Sequence, residues 1–284
     1  MAAGSSVAAA ELRRLQPPPV DLNALIGEIG RADLPWRRHY SEYQSGGWWT
    51  CSLLGRSADA TDGAVTDNAP PLVTDALARL PVTAKLIQDM PLRYMTARLA
   101  RLDPDGALWE HRDYQDLRRV ARQRIHLPIE TNGDAILVSG GRKFHMDLGS
   151  LWSFCPTAAH GSCNAGSRPR IHIIFDVYED ARLEHELAAA PCAAGIALPR
   201  LTRAALAAKV TALAARAAAA DVAEPESLRA WERDVLSLYF ACAPDEGEIY
   251  RLLEQACAER GESERARFWQ SRGRLVLGAG LEDA

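Results

Sequence analysis

His111 and Asp113 form a His-x-Asp pair, a spacing that can bind a metal ion. Side chains repeat every two residues on an extended segment, so this imidazole and this carboxylate would share a face. A second histidine from a distant strand would complete two histidines and one carboxylate, the ligand set of non-haem Fe(II) oxygenases. His160, at a predicted strand-to-loop edge, is the best candidate, although a lone His-x-Asp pair could also be a salt-bridged loop.

Arg170 narrows the kind of metal site that the His-x-Asp pair could form. It opens an apolar stretch, residues 171–177, that we predict to be a buried strand. A buried arginine is costly unless it meets an anion, and the distal carboxylate of 2-oxoglutarate would match its guanidinium in a bidentate way. Zinc is the rival metal, but a zinc hydrolase would leave this arginine without a role. The pattern therefore favours Fe(II), with 2-oxoglutarate and O2 as cosubstrates.

Three further residues are candidates for the cosubstrate site: Arg124, His126 and His145. His126 and His172 alternate with apolar neighbours in predicted strands, and each could equally be a buried core histidine. Arg124 lies two residues before His126 on the same strand face, so the two could bind an oxyanion together. His145 precedes a turn and could reach the cosubstrate.

The substrate candidates rest on weaker signals. Arg98 and Arg101 could pair with a substrate carboxylate or with surface acids. Trp48, Trp152 and Phe154 could line the pocket, and each could also be plain core.

Short apolar runs separated by Gly, Pro, Asn and Asp would carry these residues. We predict strands over residues 95–102, 124–129, 135–138, 151–154 and 171–177. Many short strands at fairly regular spacing are typical of a sandwich or barrel.

Helical patterns flank the β-rich region. Residues 72–88 are predicted to be helical and split by Pro81. Further helices are predicted over residues 201–220, 227–241, 246–260 and 263–275. We therefore expect three parts: a flexible arm (1–20), a β-rich dioxygenase domain (21–182) and a C-terminal helical domain (183–284).

Composition excludes several classes of protein. A net charge of −4 without a long basic run does not suggest nucleic-acid binding. The six cysteines form no framework and are expected to be free thiols in a reducing compartment. The chain shows neither a secretory signal nor an apolar run of about 18 residues, so we expect a cytoplasmic protein without a membrane partner. A homodimer is left open.

The sequence resembles the aspartyl/asparaginyl β-hydroxylase family of 2-oxoglutarate dioxygenases over roughly residues 36–180. The matching elements are Tyr40-Ser-Glu-Tyr, Gly47-Trp-Trp-Thr-Cys-Ser-Leu-Leu54, His111-Arg-Asp-Tyr114, Arg124-Ile-His126, Phe144-His-Met146, His160 and Pro169-Arg-Ile-His172. The resemblance implies a double-stranded β-helix (jelly-roll) core that carries Fe(II) on His111, Asp113 and His160. It also implies 2-oxoglutarate on Arg170, with His126, Arg124 and His145 as helpers.

The same resemblance implies a reaction and leaves its substrate open. Asp113 favours the bacterial branch that hydroxylates small molecules, because the animal members lack this carboxylate ligand. A free amino acid, proline or a relative, is the expected substrate. The alternatives are an Asp or Asn residue in a peptide, a carrier-bound amino acid, and a non-catalytic jelly-roll binding protein.

Overall fold

The computed structural model describes residues 11–114, 117, 120–216 and 228–278. The strands are β1 Arg13–Leu15, β2 Trp48–Gly55, β3 Leu72–Val73, β4 Arg93–Leu102, β5 Ala107–His111, β6 Arg122–Glu130, β7 Ala135–Ser139, β8 Arg142–His145, β9 Leu151–Phe154, β10 His160–Asn164, β11 Arg170–Tyr178 and β12 Ile196–Ala197. The helices are α1 Leu22–Arg31, α2 Pro81–Asp89, α3 Ala181–Ala189, α4 Arg203–Ala215, α5 Ala230–Ala241, α6 Glu248–Glu259 and α7 Ser263–Leu277.

These strands form two antiparallel sheets. Within the described residues, the larger sheet has the order β1-β9-β6-β11-β4-β2-β3 and the smaller one the order β12-β8-β7-β10-β5. From β4 to β11 the chain passes repeatedly between the sheets, so that β4, β6, β9 and β11 face β5, β7, β8 and β10. Two facing four-stranded sheets connected in this way form a double-stranded β-helix. The predicted fold class, a jelly-roll core followed by α-helices, is confirmed.

Side chains alternate between the two faces of the larger sheet, so that apolar core residues lie on one face and candidate site residues on the other. On β6 and β11, Ile125, Leu127 and Phe175 belong to a core cluster that also contains residues of α1 and α2. Because side chains repeat every two residues, the intervening His126 and Ile174 face the interior between the sheets. The interior can therefore carry polar residues while the other face of the sheet remains apolar.

The C-terminal helices pack against the smaller sheet. Trp109 of β5 and Val138 of β7 share a core cluster with Val235, Leu253 and Trp269 of the helices. The strand that ends in His111 is therefore covered on its outer face by the helical unit, which consists of α4, α5, α6 and α7.

Most of the predicted elements are present. Strands β4, β6, β7, β9 and β11 confirm the five predicted segments, and α5, α6 and α7 confirm three predicted helices to within a few residues. The Ala-rich prediction is confirmed over α4, and its last residues, 217–220, lie outside the described part of the chain.

Two predictions need correction. Residues 72–73 form a strand, a 3-10 turn follows at Leu77–Arg79, and only α2 is α-helical, with Pro81 in its first turn. The predicted arm is wrong over part of its described length, because Arg13–Leu15 pair with β9 as a strand. Residues 1–10 lie outside the described part, and the division into domains at residue 182 stays a prediction.

The six cysteines, all within the described part of the chain, are free, as predicted. None of the described helices has the length and apolar character needed to cross a membrane.

Candidate metal centre

Three potential ligands meet where the edge strand β5 of the smaller sheet pairs with its neighbour β10. His111 ends β5, His160 begins β10, and the two residues lie opposite each other in the antiparallel register. Asp113 follows β5 in a bend rather than on the strand itself, which corrects the predicted strand geometry. Its Oδ2 lies 3.9 Å from Nε2 of His111 and 3.5 Å from Nε2 of His160. All three ligand atoms lie within 4.8 Å of one another.

Backbone contacts orient both imidazoles toward this point. Nδ1 of His111 lies 2.7 Å from the Trp109 carbonyl oxygen, and Nδ1 of His160 lies 2.9 Å from that of Ala158. A carbonyl oxygen can only accept, so each Nδ1 carries the proton and each Nε2 presents a lone pair. Burial, followed by the neighbouring His160, lowers the pKa of His111 to about 3, which keeps its imidazole neutral.

Arg124 keeps the third ligand charged. Its guanidinium donates from Nη1 to Asp113 and from Nε to Asp176, the latter over 2.7 Å. Burial alone would raise the pKa of Asp113, but Arg124, followed by His160 and His111, holds it well below its usual range. The contacts of Arg124 are thus to two carboxylates, one of them a candidate metal ligand.

Two tyrosines close the site from the loop before β2. The Tyr43 ring stacks on His111 with 3.9 Å between centroids, and its hydroxyl lies 3.4 Å from Oδ1 of Asp113. Tyr40 stacks in turn on Tyr43 and adopts a left-handed backbone conformation, with φ 62°. Such a conformation is costly for a non-glycine residue and tends to be kept at functional sites. Sequence reasoning missed both residues as site residues.

Arg170 lies at the start of β11, and its charge meets no carboxylate among the described residues. Its side chain is buried, and Nη1 has no hydrogen-bond partner among the described residues. Burial lowers the pKa of this guanidinium to about 9, which still leaves it charged near neutral pH. A buried cation without a carboxylate partner is costly, so this position favours an anionic ligand.

A chain of hydrogen bonds connects Arg170 to two histidines. Nε of Arg170 donates to Nε2 of His172 over 3.1 Å, and Nδ1 of His172 lies 3.0 Å from Nδ1 of His126. Since arginine can only donate, His172 must carry its proton on Nδ1, and His126 must carry its proton on Nε2. Nε2 of His126 is buried and has no partner in the described part of the chain, so this side chain offers an N–H donor beside Arg170.

Arg98 supplies another partly unsatisfied cation. Its Nη1 pairs with Asp176 over 3.1 Å, and Asp176 also accepts from the Tyr114 hydroxyl over 2.7 Å. Nε of Arg98 is buried and has no partner among the described residues. One cavity is lined by this side chain and by His111, Asp113, His126, His160 and Arg170.

The side chains at this site are suited to hold an Fe(II) ion and a 2-oxo acid. Two imidazole nitrogens and one carboxylate oxygen are the ligand set with which a protein would hold a non-haem Fe(II) ion. The unpartnered Nη1 of Arg170 and Nε2–H of His126 are suitable donors for the carboxylate of a 2-oxo acid.

Comparison with known proteins agrees with this geometry. The family model of aspartyl/asparaginyl β-hydroxylases matches residues 21–180. The chain belongs to this family. An L-proline cis-4-hydroxylase from Rhizobium meliloti is 29% identical over 142 residues, which are 48% of this chain and 50% of that protein. The chain thus spans about half the length of this curated relative.

Solved structures show looser likenesses. HygX from Streptomyces hygroscopicus, with nickel and 2-oxoglutarate bound, is 13% identical, with a TM-score of 0.40 over 61% of this chain and 84% of its own. A Pseudomonas putida prolyl-4-hydroxylase is 12% identical, with a TM-score of 0.38 over 61% of this chain and 95% of its own.

The structure places most of the predicted family site around one cavity. In addition to the three metal ligands, it brings the predicted residues Arg170, His126, Arg124, Arg98 and Trp48 to the cavity wall. Phe154 lies there as well, with its ring 5.0 Å from that of His160.

Three predicted residues do not line this cavity. Arg101 lies an odd number of residues from Arg98, so it faces the other side of β4, where it pairs with Asp103 over 2.6 Å. His145 is half-buried, with Nδ1 3.2 Å from the Ala135 carbonyl oxygen. Trp152 packs in a separate apolar cluster and donates to the Ser150 hydroxyl over 2.6 Å.

Proposed function

We propose that this protein is an Fe(II)- and 2-oxoglutarate-dependent dioxygenase that hydroxylates an unactivated C–H bond of a free amino acid. The observation that carries this proposal is the buried, unpartnered Nη1 of Arg170 in the cavity of a two-histidine, one-carboxylate set. The metal ligands alone would suit several divalent ions, whereas the arginine also requires an anion. Membership of the β-hydroxylase family supports the same reading.

Each residue has a separate part in this function. His111, Asp113 and His160 would hold Fe(II), and Arg124 keeps Asp113 charged and oriented. When bound, Fe(II) with 2-oxoglutarate and O2 supplies the oxidation, which yields succinate, CO2 and a hydroxylated product. Arg170 binds the distal carboxylate of 2-oxoglutarate through its guanidinium fork.

His126 and His172 extend this anion site. His126 adds its Nε2–H as a second donor, and His172 fixes that tautomer through its own hydrogen bonds. The part predicted for His145 at the cosubstrate has no support from its contacts in the structure.

An amino acid, proline or a relative, is the proposed substrate. The buried Nε of Arg98 has no partner among the residues that the structure describes and can bind the substrate carboxylate, and Tyr40 and Trp48 line the same cavity as apolar walls. Among the described residues three arginines line this cavity, and only Asp113 and the adjoining Asp176 oppose their charge, which favours an anionic ligand in addition to 2-oxoglutarate. The curated relative named for L-proline supports this choice.

Other readings receive less support. A peptide or carrier-bound substrate would need an open groove, whereas Tyr40 and Tyr43 stack over the metal ligands. A non-catalytic binding protein would not need the charged, oriented ligand set. A homodimer and a cytoplasmic location remain predictions.

A screen of free amino acids by mass spectrometry tests the proposal. Purified protein with Fe(II), ascorbate and 2-oxoglutarate should add one oxygen atom to at least one amino acid, with proline tested first. Succinate should form in proportion to that product. Absence of any oxygenated product across the standard amino acids would contradict the free amino-acid substrate.

A further inference from the structure

The strand that carries the first metal ligand lies at the edge of its sheet. β5 is hydrogen-bonded along its length only to β10 among the described strands. Its other edge meets only residues 43–45 of the described chain, through the Gln44–Leu108 bridge and its backbone hydrogen bonds, and these contacts stop at Trp109, two residues before His111. Edge strands have fewer backbone restraints than central ones. A metal site needs its ligands held within a fraction of an ångström, so another part of the chain must restrain β5 around His111.

Helix α6 contacts the residue before His111. The Tyr250 hydroxyl donates to the Glu110 backbone carbonyl oxygen over 2.6 Å. The backbone N–H of Gly247, at the start of α6, donates to the Glu110 carboxylate over 3.2 and 3.3 Å. Both contacts are buried. They fix the backbone and the side chain of Glu110 to the same helix.

A second set of contacts fixes the residue after His111. Arg112 forms a two-bonded ion pair with Glu246, at 2.8 and 2.7 Å, and its backbone N–H donates to the Val276 carbonyl oxygen over 2.8 Å. Its Nη1 also donates over 2.6 Å to the carbonyl oxygen of Thr157, in the loop that leads to His160. The helical unit is thereby connected to the segments that precede both metal-binding histidines.

We propose that helices α6 and α7 position the metal ligands, with Tyr250 as the principal positioning residue. The phenol fixes a backbone carbonyl one residue from His111, although it touches neither the metal ligands nor the cavity. This inference rests on the proposed function, because it assigns the helical unit a role at the same metal site. The unit is accordingly part of the oxygenase rather than an independent module.

Metal binding by paired tyrosine variants of the full chain tests this proposal. Tyr250→Phe removes only the hydroxyl that holds Glu110. Tyr239→Phe is the matched control, because the buried Tyr239 hydroxyl also lies near a backbone carbonyl oxygen, that of Val138 at 3.4 Å, on a strand without metal ligands. Co2+ is titrated into metal-free protein, the dissociation constant and the visible Co2+ spectrum are recorded, and thermal unfolding is measured separately.

We expect Tyr250→Phe to weaken Co2+ binding about 10-fold, the lower end of the range for residues that orient metal ligands. The Co2+ spectrum should change in Tyr250→Phe and stay like wild type in Tyr239→Phe. Glu246→Gln, which weakens the half-exposed ion pair with Arg112, should fold normally and show a smaller loss of affinity.

Wild-type affinity and an unchanged spectrum in both Tyr250→Phe and Glu246→Gln would overturn the proposal. This result differs from a failure of the proposed function. In that case wild-type protein itself would bind Co2+ no better than His160→Ala.

Discussion

Replacing Arg170 with methionine should stabilise the metal-free protein and abolish its response to 2-oxoglutarate. The guanidinium is buried, its Nη1 has no partner among the described residues, and burial lowers its pKa to about 9. Transferring a charged group from water to the protein interior without a partner costs on the order of several kcal/mol. A flexible, apolar methionine can fill most of the same space without that cost.

Two opposing effects determine how much the free energy of unfolding changes in Arg170→Met. The variant loses the hydrogen bond from Arg170 to His172, which contributes about 1 kcal/mol, together with the contact of the guanidinium with the Trp48 ring. Relief of the uncompensated charge outweighs this loss. We therefore expect the free energy of unfolding to rise by about 1–3 kcal/mol, as when a buried charge is replaced by an apolar side chain.

Thermal and denaturant unfolding with and without 2-oxoglutarate provides the assay. Co2+-loaded wild type should gain about 2.7 kcal/mol at a 2-oxoglutarate concentration of about 100 times the dissociation constant. Co2+-loaded Arg170→Met should gain nothing measurable at that concentration.

A buried arginine that already has a partner is the matched control. Arg122 pairs with the partly exposed Asp67 over 2.7 Å, so Arg122→Met should destabilise the protein by about 1–2 kcal/mol, as expected when a charge-assisted hydrogen bond is lost. The reasoning would be refuted if Arg170→Met were destabilised as much as Arg122→Met and still responded to 2-oxoglutarate.

Two further substitutions separate the metal site from the substrate site. Asp113→Ala should abolish hydroxylation and Co2+ binding, measured by product formation and titration; persistent hydroxylation would show that Asp113 is not a ligand. Arg98→Gln should raise the KM for the amino acid by about 10- to 100-fold, because a charge-assisted hydrogen bond contributes about 1.5–3 kcal/mol. Its KM for 2-oxoglutarate should stay unchanged, since Arg170 is intact, and folding should be preserved, because Asp176 keeps Arg124 as a partner.

The residues that sequence reasoning could assign to the candidate site are those whose chemistry is local. His111 and Asp113 stand close together in the chain, and Arg170 is conspicuous because it opens an apolar strand. His160 meets them because β5 pairs with β10. The family resemblance indicated His160 as the third ligand, whereas spacing in the sequence alone could not.

The predictions that were wrong or incomplete concern residues whose position depends on contacts between distant parts of the sequence. Arg98 and Arg101 look equivalent in the sequence, but the alternation of β4 places only Arg98 inside the barrel. Tyr43 lies in a loop without periodicity, so nothing in the pattern indicates that it stacks on His111. Likewise, no local signal connects Tyr250 with the metal-binding strand.

Succinate formation from 2-oxoglutarate tests the central claim most directly. Purified wild-type protein with its amino-acid substrate should produce succinate only when Fe(II) is added, and His160→Ala, which removes one of three metal ligands, should produce none. Succinate formation by His160→Ala at the wild-type rate, or by wild type without Fe(II), would contradict a metal centre built on His111, Asp113 and His160.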